Sequence, residues 1–359
     1  MKKVLFVIAH RPGRSPSQRF RYEQYISFLE QNGYHCHESY IISERDDRVF
    51  YHPGNLTSKS WIFFRSFIYR LKDVIKYSNY DIIFVQREAF MTGTTIFESL
   101  FKRTKAKLVF DFDDAIWLHD VSEANKSLGW LKNPEKTSKI IRMADLVIAG
   151  NKYLADYALK FNKNVVIIPT TIDTSEFRNI HLRKHDTLCI GWSGSMTTMK
   201  HFDYAIPFLL KIKEKYGDKV SFKVIGDGSY RNEALGIKGI PWTKDDEVEQ
   251  LSEFDIGIMP LPHDEWTKGK CGLKGLSYMS LEIPTVMSPV GVNTEIIRDG
   301  VNGFLADSTD EWVNKLSLLA ESKELRSRIG KEGRKTVEQY YSVDSQKENY
   351  LNYFNKLTE

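Results

Sequence analysis

Short apolar runs alternate with helix-period segments along the whole 359-residue chain, in two successive series. Such alternation is typical of parallel sheets covered by helices, because each parallel strand needs a long crossover to reach the next. The first series predicts strands at 3–9, 35–42, 81–86, 107–112, 146–150 and 165–169. The second series predicts strands at 188–194, 221–226, 255–261, 284–290 and 303–306.

A polar stretch from Asp173 to Asp186 separates the two series and is the best linker candidate. The pattern therefore predicts an α/β protein of two Rossmann-like, doubly wound lobes that face a central cleft, with ligands beyond the carboxyl ends of the strands. The predicted boundaries are 1–178 for the first lobe, 187–340 for the second lobe and 341–359 for a C-terminal helix.

Three helices are predicted from local signals. Four apolar residues recur at helical spacing before Gly33, which predicts one helix that ends at this glycine; they are Tyr22, Tyr25, Ile26 and Leu29. The pair Ser308 and Glu311 has the spacing of a capping box and predicts a helix start. The last helix has an apolar face formed by Tyr350, Phe354 and Leu357.

The composition, with 27% charged and 42% hydrophobic residues, is that of a folded globular protein and excludes a disordered chain. No apolar run reaches the ~18–20 residues that a membrane-spanning helix needs. The apolar run from Val4 to Ala9 is too short for a signal peptide and is expected to be the first strand. Three scattered cysteines favour a reducing cytoplasm; they are Cys36, Cys189 and Cys271.

The positive charge lies in the first half of the chain. Residues 1–180 contain 27 Lys and Arg against 20 Asp and Glu, whereas residues 181–359 contain 24 against 27. This asymmetry favours an anionic partner, such as a lipid surface or a phosphorylated substrate, and no nucleic-acid motif is present. Residues 58–77 contain five basic residues and one acid among aromatic side chains, which fits either peripheral contact with an anionic membrane or a core-packing helix.

Two junctions that follow strands of the first lobe are candidate sites. The first contains Gly13, where a backbone approaches a ligand closely, and is followed by Arg19 and Arg21, which suit a carboxylate or phosphate. The second is FDFDDAIW, residues 110–117, whose three carboxylates repel one another without a cation, a hydroxyl-rich ligand or a positive partner. A metal site, hydrogen bonds to a sugar acceptor and a helix N-cap all remain open for it.

Two junctions of the second lobe carry lysines beside glycines. Residues 191–200, GWSGSMTTMK, place small and hydroxyl residues before Lys200 at the start of a helix. Residues 268–277 place Lys268, Lys270 and Lys274 around Gly272, where another helix begins. Backbone amides at a helix start together with lysine charges are able to hold a diphosphate, although a solvated basic loop has the same composition.

Taken in this order, these segments resemble glycosyltransferase family 4, which contains retaining enzymes of the two-lobed GT-B fold, and within it polysaccharide-assembly members. The resemblance covers nearly the whole chain and rests on six segments; they are YDIIFVQRE at 80–88, FDFDDAIW at 110–117, ADLVIAGNKYLADYA at 144–158, VIIPTTID at 166–173, GWSGSMTTMK at 191–200 and GKCGLKGLSYMSLEIPTVMSPVGVN at 269–293. It implies an acceptor lobe followed by a nucleotide-sugar lobe, with the C-terminal helix crossing back to the first lobe.

The resemblance also implies roles for individual residues. The expected donor-binding residues are Gly13, Ser195, Lys200, Lys270, Gly272, Leu273, Lys274 and Ser277. The expected catalytic residues are Asp113 and Asp114, and the expected contacts to an acceptor phosphate are Arg19, Arg21 and Arg87. The chain departs from the family at three positions: Ser195 stands where arginine is usual, and Gly269 and Ser277 stand where two glutamates are usual.

The implied activity is retaining transfer of a sugar from a UDP- or GDP-linked donor to a glycan or lipid-linked glycan, in synthesis of a surface polysaccharide such as a capsule, O-antigen or exopolysaccharide. Neither a metal nor another cofactor is expected, and the implied location is the cytoplasm or the inner face of the membrane. Two alternatives remain open. The same fold supports nucleotide-sugar 2-epimerases, and the missing glutamates are compatible with a non-catalytic, donor-binding scaffold.

Overall fold

The computed structural model describes residues 1–51, 54–118, 133–180 and 187–359. The chain forms two compact units. The first contains Met1–Pro169 together with Lys347–Glu359, and the second contains Thr170–Gln346. No helix in the described ranges combines the length and the apolar character required to cross a bilayer.

The first unit contains a sheet of six parallel strands in the order β2-β1-β3-β4-β5-β6. The strands are β1 (Lys2–His10), β2 (Tyr34–Ile42), β3 (Ile82–Gln86), β4 (Lys107–Phe112), β5 (Leu146–Ala149) and β6 (Val165–Ile167). Strands β3, β4 and β5 are buried along their length except at Lys107, which explains why they read as continuous apolar runs. The observed strands agree with the predicted ones to within two residues at either end.

The helices of the first unit cover this sheet. They are α1 (Pro16–Arg19), α2 (Ile26–Gln31), α3 (Glu44–Phe50), α4 (Leu56–Lys76), α5 (Ile96–Lys102), α6 (Glu135–Met143) and α7 (Lys152–Leu159). The single helix predicted before Gly33 is instead α1, a 3-10 turn at Glu23–Tyr25 and α2. The break retains the buried positions of Tyr22, Tyr25 and Leu29, and Gly33 follows α2 with φ +87°.

The second unit contains another sheet of six parallel strands, in the order β11-β8-β7-β12-β13-β14, and a two-stranded hairpin of β9 and β10. The strands are β7 (Leu188–Ser193), β8 (Val220–Gly226), β9 (Arg231–Asn232), β10 (Ile237–Lys238), β11 (Ile240–Pro241), β12 (Ile256–Met259), β13 (Thr285–Met287) and β14 (Phe304–Leu305). The five predicted strands of this unit are all present.

The helices of the second unit include the predicted capping box, in which Ser308 and Glu311 cap the start of α14. They are α8 (Met199–Phe202), α9 (Ile206–Tyr216), α10 (Glu247–Ser252), α11 (Glu265–Lys268), α12 (Leu273–Ser280), α13 (Asn293–Ile296), α14 (Thr309–Glu321) and α15 (Lys323–Thr336), followed by a π-helical turn at Val337–Tyr341. The last helix, α16 (Val343–Thr358), begins in the second unit and continues through the first unit's C-terminal segment.

The C-terminal helix packs on the first unit, as predicted. The hydroxyl of Tyr350 donates to the backbone carbonyl of Arg21 across 2.8 Å, and the hydroxyl of Tyr34 donates to Oδ1 of Asn355 across 2.8 Å. The ring of Phe354 lies against that of Tyr34 with centroids 5.8 Å apart. These buried contacts place residues 347–359 in the first unit although they are last in sequence.

The predicted linker begins later than the boundary between the units. Ile172 forms a parallel bridge with Ser342, and Phe177 is buried. The guanidinium of Arg334 donates to the backbone carbonyls of Thr174 and Phe177. The described part of the stretch from Asp173 is therefore fixed within the second unit, and residues 181–186 of that stretch lie outside the described ranges.

Each sheet reverses its strand order at one point. In the first unit the reversal lies between β1 and β3, and in the second it lies between β7 and β12. Crossover connections leave in opposite directions on the two sides of such a point, which opens a crevice at the carboxyl ends of the strands. The loops after β1 and β3 in the first unit, and after β7 and β12 in the second, are therefore the expected ligand positions.

Candidate functional site

In the second unit, the start of helix α12 is shaped to accept an anion. Gly272 precedes the helix with φ +72°, a conformation that a residue with a side chain rarely adopts. A Cβ at this position would lie 2.3 Å from Cδ1 of Ile296, so space as well as conformation requires glycine. Because Gly272 has no side-chain oxygen to cap the helix, the first amides of α12, from Leu273 onward, are directed outward as donors.

The three lysines predicted to bind the donor converge on one histidine. Burial of His201, and then the charges of Lys274, Lys270 and Lys200, lower the pKa of its imidazole to about 4. Lys274 also lies with Nζ 5.4 Å from the ring centroid of Trp192, on strand β7. The structure thus brings together lysines that are separated by up to 74 positions in the sequence, on both sides of the strand-order reversal.

His201 and Trp192 are candidate site residues that the sequence analysis did not select. Within the described part of the chain, Nδ1 of His201 and Nε1 of Trp192 are buried and have no hydrogen-bond partner. A buried polar atom without a partner is destabilising unless a ligand or water satisfies it. The available signal for His201 was its position immediately after Lys200 at the start of a helix.

Ser195 lies on the loop after β7 and is exposed. Its hydroxyl is 3.0 Å from Oγ1 of Thr197 and 3.3 Å from Oγ1 of Thr198. The same loop closely approaches the loop after β8, since a Cβ on Gly226 would lie 1.8 Å from the carbonyl oxygen of Gly194. The loop that carries Ser195 is therefore held by a close backbone contact with the loop after β8.

Ser277 is buried on α12, and its hydroxyl is engaged by the helix itself. Its Oγ donates to the carbonyl of Leu273 across 2.9 Å. The hydroxyl proton is thus committed to the backbone, and only the oxygen lone pairs remain to accept a bond. Neither Gly269 nor Ser277 supplies a carboxylate to this part of the unit.

A cavity of about 570 Å³ adjoins Lys200 at the carboxyl ends of β12 and β13. Its walls combine polar groups with aromatic rings, as is common in small-molecule sites. The lining residues are Lys200, Asp203, Tyr204, Pro207, Phe208, Pro260, Leu261, Ser288, Asp307, Thr309 and Trp312. Phe208 and Trp312 stack with their centroids 4.4 Å apart and thereby fix the floor between α9 and α14.

In the first unit, Arg87 holds the two predicted catalytic acids. Its Nε donates to Oδ1 of Asp113 across 2.8 Å, and its terminal nitrogen also pairs with Asp114. Burial and then the neighbouring Asp114 raise the pKa of Asp113, while Arg87 opposes that shift. Burial lowers the pKa of Arg87, but the charges of Asp113 and Asp114 outweigh burial and raise it above its ordinary value.

This arrangement bears on the three interpretations left open for FDFDDAIW. No helix begins directly after β4 in the described residues, where the next helix is α6, so these acids do not cap a helix there. No group of three or more His, Cys, Asp or Glu side chains within the described ranges is arranged to hold a metal ion. Arg87 of this same chain supplies a positive partner to both Asp113 and Asp114.

Arg21 occupies a position different from the predicted one. Its side chain is fully buried, and its Nε donates to Oδ2 of Asp111 across 3.3 Å while its terminal nitrogens bond Asp111 and the carbonyl of Ile168. The expected contact of Arg21 with an acceptor phosphate is thereby replaced by a buried ion pair that joins β4 to the end of the sheet. Asp111 is fully buried in this ion pair, unlike the neighbouring acids Asp113 and Asp114, which pair with Arg87.

The loop after β1 is held by internal ion pairs. The amide of Gly13, which has φ +78°, donates across 2.8 Å to Oε2 of Glu23, which lies in the 3-10 turn after α1, so this amide is engaged within the first unit. Arg11 and Arg14 both pair with Asp47. Arg19 is buried, with its guanidinium carbon 4.8 Å from the ring centroid of Phe20.

His10, at the end of β1, is a further candidate that the sequence analysis did not select as a site residue. Its Nε2 lies 3.0 Å from the hydroxyl of Tyr51. Burial, followed by the positive charges of Arg14, Arg87 and Arg11 and against the charge of Asp47, lowers its pKa to about 4. The imidazole of His10 is therefore neutral at physiological pH.

Comparison with known proteins agrees with this architecture. Residues 187–322 match the family model "Glycosyl transferases group 1". All of the matched residues belong to the second unit. Comparison with curated protein sequences gives no significant match.

Several solved structures share the fold of the chain. Sucrose-phosphate synthase from Thermosynechococcus elongatus is 13% identical, with 99% of each chain covered and a TM-score of 0.73. A glycosyltransferase from Rickettsia africae is 14% identical, with 100% of this chain and 99% of that chain covered and a TM-score of 0.68. Anabaena HepE, in complex with UDP-glucose, is 13% identical, with 99% and 100% covered and a TM-score of 0.68. The group 1 domain and the two-unit GT-B fold together identify this chain as a glycosyltransferase.

Proposed function

We propose that this protein is a retaining glycosyltransferase of family 4 that transfers a sugar from a nucleotide-sugar to a glycan or lipid-linked glycan, in synthesis of a surface polysaccharide. The observation that supports the donor assignment most directly is the convergence of Lys200, Lys270 and Lys274 on His201, in the unit where α12 begins at Gly272. The structure of Anabaena HepE was determined with UDP and with UDP-glucose, which supports a uridine nucleotide as the first candidate.

The proposed donor site stabilises the departing diphosphate. Transfer breaks the bond between the anomeric carbon and the diphosphate oxygen, so negative charge develops on the phosphate as positive charge develops on the sugar ring. Preorganised cations and amides at the leaving group favour that charge distribution. Lys200, Lys270 and Lys274 supply the charge, and the amides of Gly272 and Leu273 supply the directed hydrogen bonds.

A neutral His201 suits this site better than a charged one. A fourth positive charge among three lysines would raise their mutual repulsion before the donor binds, and the low pKa of His201 avoids it. In this proposal, the buried Nδ1 of His201 and Nε1 of Trp192 form hydrogen bonds to the nucleotide-sugar or to ordered water.

The proposed acceptor site is formed by the first unit. Asp113 and Asp114 orient the acceptor hydroxyl, and Arg87 fixes both carboxylates. In the front-face mechanism that the family implies, the leaving phosphate itself accepts the proton of that hydroxyl, so neither carboxylate has to act as a nucleophile. Arg19 and Arg87 remain the proposed contacts to an acceptor phosphate, whereas the guanidinium of Arg21 is bonded to Asp111 and Ile168 and acts on the fold.

The reaction is proposed to need neither a metal nor a resident cofactor, because lysines and amides supply the positive charge at the diphosphate. EDTA treatment is then expected to leave turnover unchanged. Loss of turnover in EDTA that manganese or magnesium restores would show that a cation acts at the diphosphate or at the acids.

The proposed location is the cytoplasm or the inner face of the membrane. The free cysteines Cys36, Cys189 and Cys271 are partly or fully buried, and burial raises the pKa of the Cys189 thiol to about 12. Thiols of this kind are weakly reactive, and their free state is compatible with a reducing compartment.

The central experiment is a thermal-shift panel of nucleoside diphosphates, followed by turnover with the nucleotide that binds. A ligand at ~100 times its Kd stabilises the folded state by about 2.7 kcal/mol, which is readily measured. Acceptor-dependent release of nucleoside diphosphate supports a transferase, and NMR of the product's anomeric centre tests retention. Conversion of the nucleotide-sugar without acceptor would instead support an epimerase, and the absence of any nucleotide binding would support a scaffold.

A further inference from the structure

Helix α4 of the first unit presents an apolar stripe that the described residues of the unit leave largely exposed. Its spacing of three and four residues aligns the stripe along one side of the helix. Its members are Trp61, Phe64, Ile68, Leu71 and Ile75. Trp61 is 61% exposed, Phe64 is 58% exposed and Ile75 is 72% exposed, so these side chains are not core residues.

The opposite face of α4 packs on the unit and is unusually polar. Arg70 is fully buried and donates to the carbonyls of Ile8, Ser39 and Ala89 and to Asp73. The buried Arg70 therefore acts within the fold beside the inward-facing apolar residues Ile62 and Phe63, and the residues of the stripe lie on the other side of the helix. The helix thus has apolar residues on its outer side in addition to those that it packs on the unit, and a contiguous exposed apolar patch is typical of an interaction surface.

Charge identifies the partner of this surface. Lys72 and Lys76 are exposed on the flank of the stripe, whereas the acid of α4, Asp73, is buried and paired with Arg70. Arg65 lies on the same flank and pairs with Asp46, which holds α3 with its exposed Arg45 beside α4. Apolar and aromatic side chains bordered by basic residues are the pattern of a helix that lies in the interface of an anionic bilayer.

A second copy of the chain fits the same surface less well. In an isologous contact each flank of α4 meets a copy of the partner's surface, and an antiparallel helix pair would place the Lys72 and Lys76 flank against itself. Like charges in contact are destabilising, whereas an anionic lipid surface attracts each of these lysines.

We propose that the exposed face of α4 binds the surface of an anionic lipid bilayer. Trp61, Phe64, Leu71 and Ile75 enter the interfacial region, and Lys72 and Lys76 contact lipid phosphates. The helix lies along the membrane and does not cross it. The inference is independent of the donor and the acceptor, and it would stand if the nucleotide specificity were different.

Flotation of the full chain with vesicles tests the proposal. Vesicles of phosphatidylcholine with 30% phosphatidylglycerol are compared with vesicles of phosphatidylcholine alone. Each exposed lysine near a surface contributes about a fivefold change in partition, so Lys72→Gln together with Lys76→Gln is expected to weaken binding about 25-fold. Trp61→Ser together with Phe64→Ser is expected to weaken binding at least tenfold.

Matched controls lie in the second unit. Leu318→Ser with Tyr340→Ser removes exposed apolar side chains, and Lys219→Gln with Lys238→Gln removes the same charge as the α4 variant. Both of these double variants are expected to bind vesicles like the wild type. Arg65 and Arg70 are unsuitable probes, because their loss breaks internal ion pairs.

Binding of anionic vesicles that both α4 variants lose and both controls keep supports the proposal. The proposal is wrong if the wild type does not float with anionic vesicles, or if the controls lose binding as strongly as the α4 variants. It is also wrong if the wild type is a dimer that Trp61→Ser with Phe64→Ser converts to a monomer without a change in vesicle binding. Unchanged thermal unfolding of each variant confirms that it is folded.

Discussion

Nε of Arg87 donates to Oδ1 of Asp113 across 2.8 Å, from a residue whose backbone is left-handed with φ +62°. A side-chain-bearing residue in that region is strained by about 1–3 kcal/mol and persists only where its surroundings hold it. Here the surroundings are two carboxylates on a single guanidinium, Asp113 and Asp114. The strained backbone at the end of β3 therefore turns Arg87 toward the acids at the end of β4.

Replacing Arg87 separates the strain from the ion pair. Arg87→Ala and Arg87→Gly both leave two like-charged acids without Arg87, and the alanine variant is expected to lower the free energy of unfolding by about 3 kcal/mol. The glycine variant relieves the left-handed strain and is expected to be about 1 kcal/mol more stable than the alanine variant. Urea denaturation measures both, and an alanine variant as stable as the glycine variant would contradict the strained conformation.

Arg21 is expected to matter for stability and not for substrate affinity. Arg21→Met leaves Asp111 as a buried, unpaired carboxylate, and the expected loss is about 3–5 kcal/mol of unfolding free energy. Arg21→Met together with Asp111→Asn removes the stranded charge and is expected to recover at least half of that loss. A stable Arg21→Met variant with a raised KM for the acceptor would instead show that Arg21 contacts the acceptor.

Lys274 is expected to contribute more to donor binding than its neighbour Lys268. A charge-assisted contact to phosphate contributes about 1.5–3 kcal/mol, so Lys274→Ala is expected to raise the Kd for the bound nucleoside diphosphate by about 10- to 100-fold. Lys268 pairs with Glu265 in the same segment, and Lys268→Ala serves as the matched control with little change. Calorimetry that gives the same Kd for Lys274→Ala and for the wild type would exclude Lys274 from the donor site.

Ser277 tests whether the absence of a family glutamate weakens the enzyme. Because its hydroxyl already donates to Leu273, Ser277→Ala is expected to weaken nucleoside-diphosphate binding by about 1 kcal/mol or less. Ser277→Glu restores a charged acceptor and is expected to tighten donor binding. Calorimetry and acceptor-dependent turnover of all three forms provide the comparison, and weaker binding by the glutamate variant would show that the pocket has lost the family's shape.

Stability is expected to fall between pH 6.5 and pH 4 through two histidines. The pKa values of His201 and His10 are lowered to about 4 in the folded chain, whereas an unfolded histidine has a pKa of about 6.5. As the pH falls through this window the unfolded state takes up protons that the folded state does not, so folding is disfavoured. Below about pH 4 this contribution is constant.

The His201→Asn variant checks this pH dependence. Its free energy of unfolding, measured by urea titration at several pH values, is expected to fall less steeply between pH 6.5 and pH 4 than that of the wild type. His35→Asn is the matched control, since His35 is an exposed residue of β2 in the first unit. A slope equal to that of the wild type would show that His201 is not held neutral by its surroundings.

Much of the fold was predictable because its strands carry their own signal. Strands such as β3 and β4 are buried by helices on both faces of the sheet, so they appear as continuous apolar runs whatever their order in space. The helix start at Ser308 was equally local, since a capping box needs only Ser308 and Glu311 three residues apart. The division of the segment before Gly33 into α1, a 3-10 turn and α2 was not predictable from spacing, because the same residues are buried either way.

The sequence by itself determined the alternation of strands and helices, the lysines and glycine around Gly272, and the acids after β4, because these depend on residues close together in the chain. Only the tertiary structure decided which charges meet. Arg21 and Arg87 are both arginines near strand ends, yet one is buried against Asp111 and the other holds Asp113 and Asp114. Likewise, the structure decided which apolar residues of α4 are covered, since Ile62 is buried whereas Trp61 and Phe64 are exposed. Burial and charge pairing are set by what lies opposite a side chain in space, and that neighbour is distant in sequence.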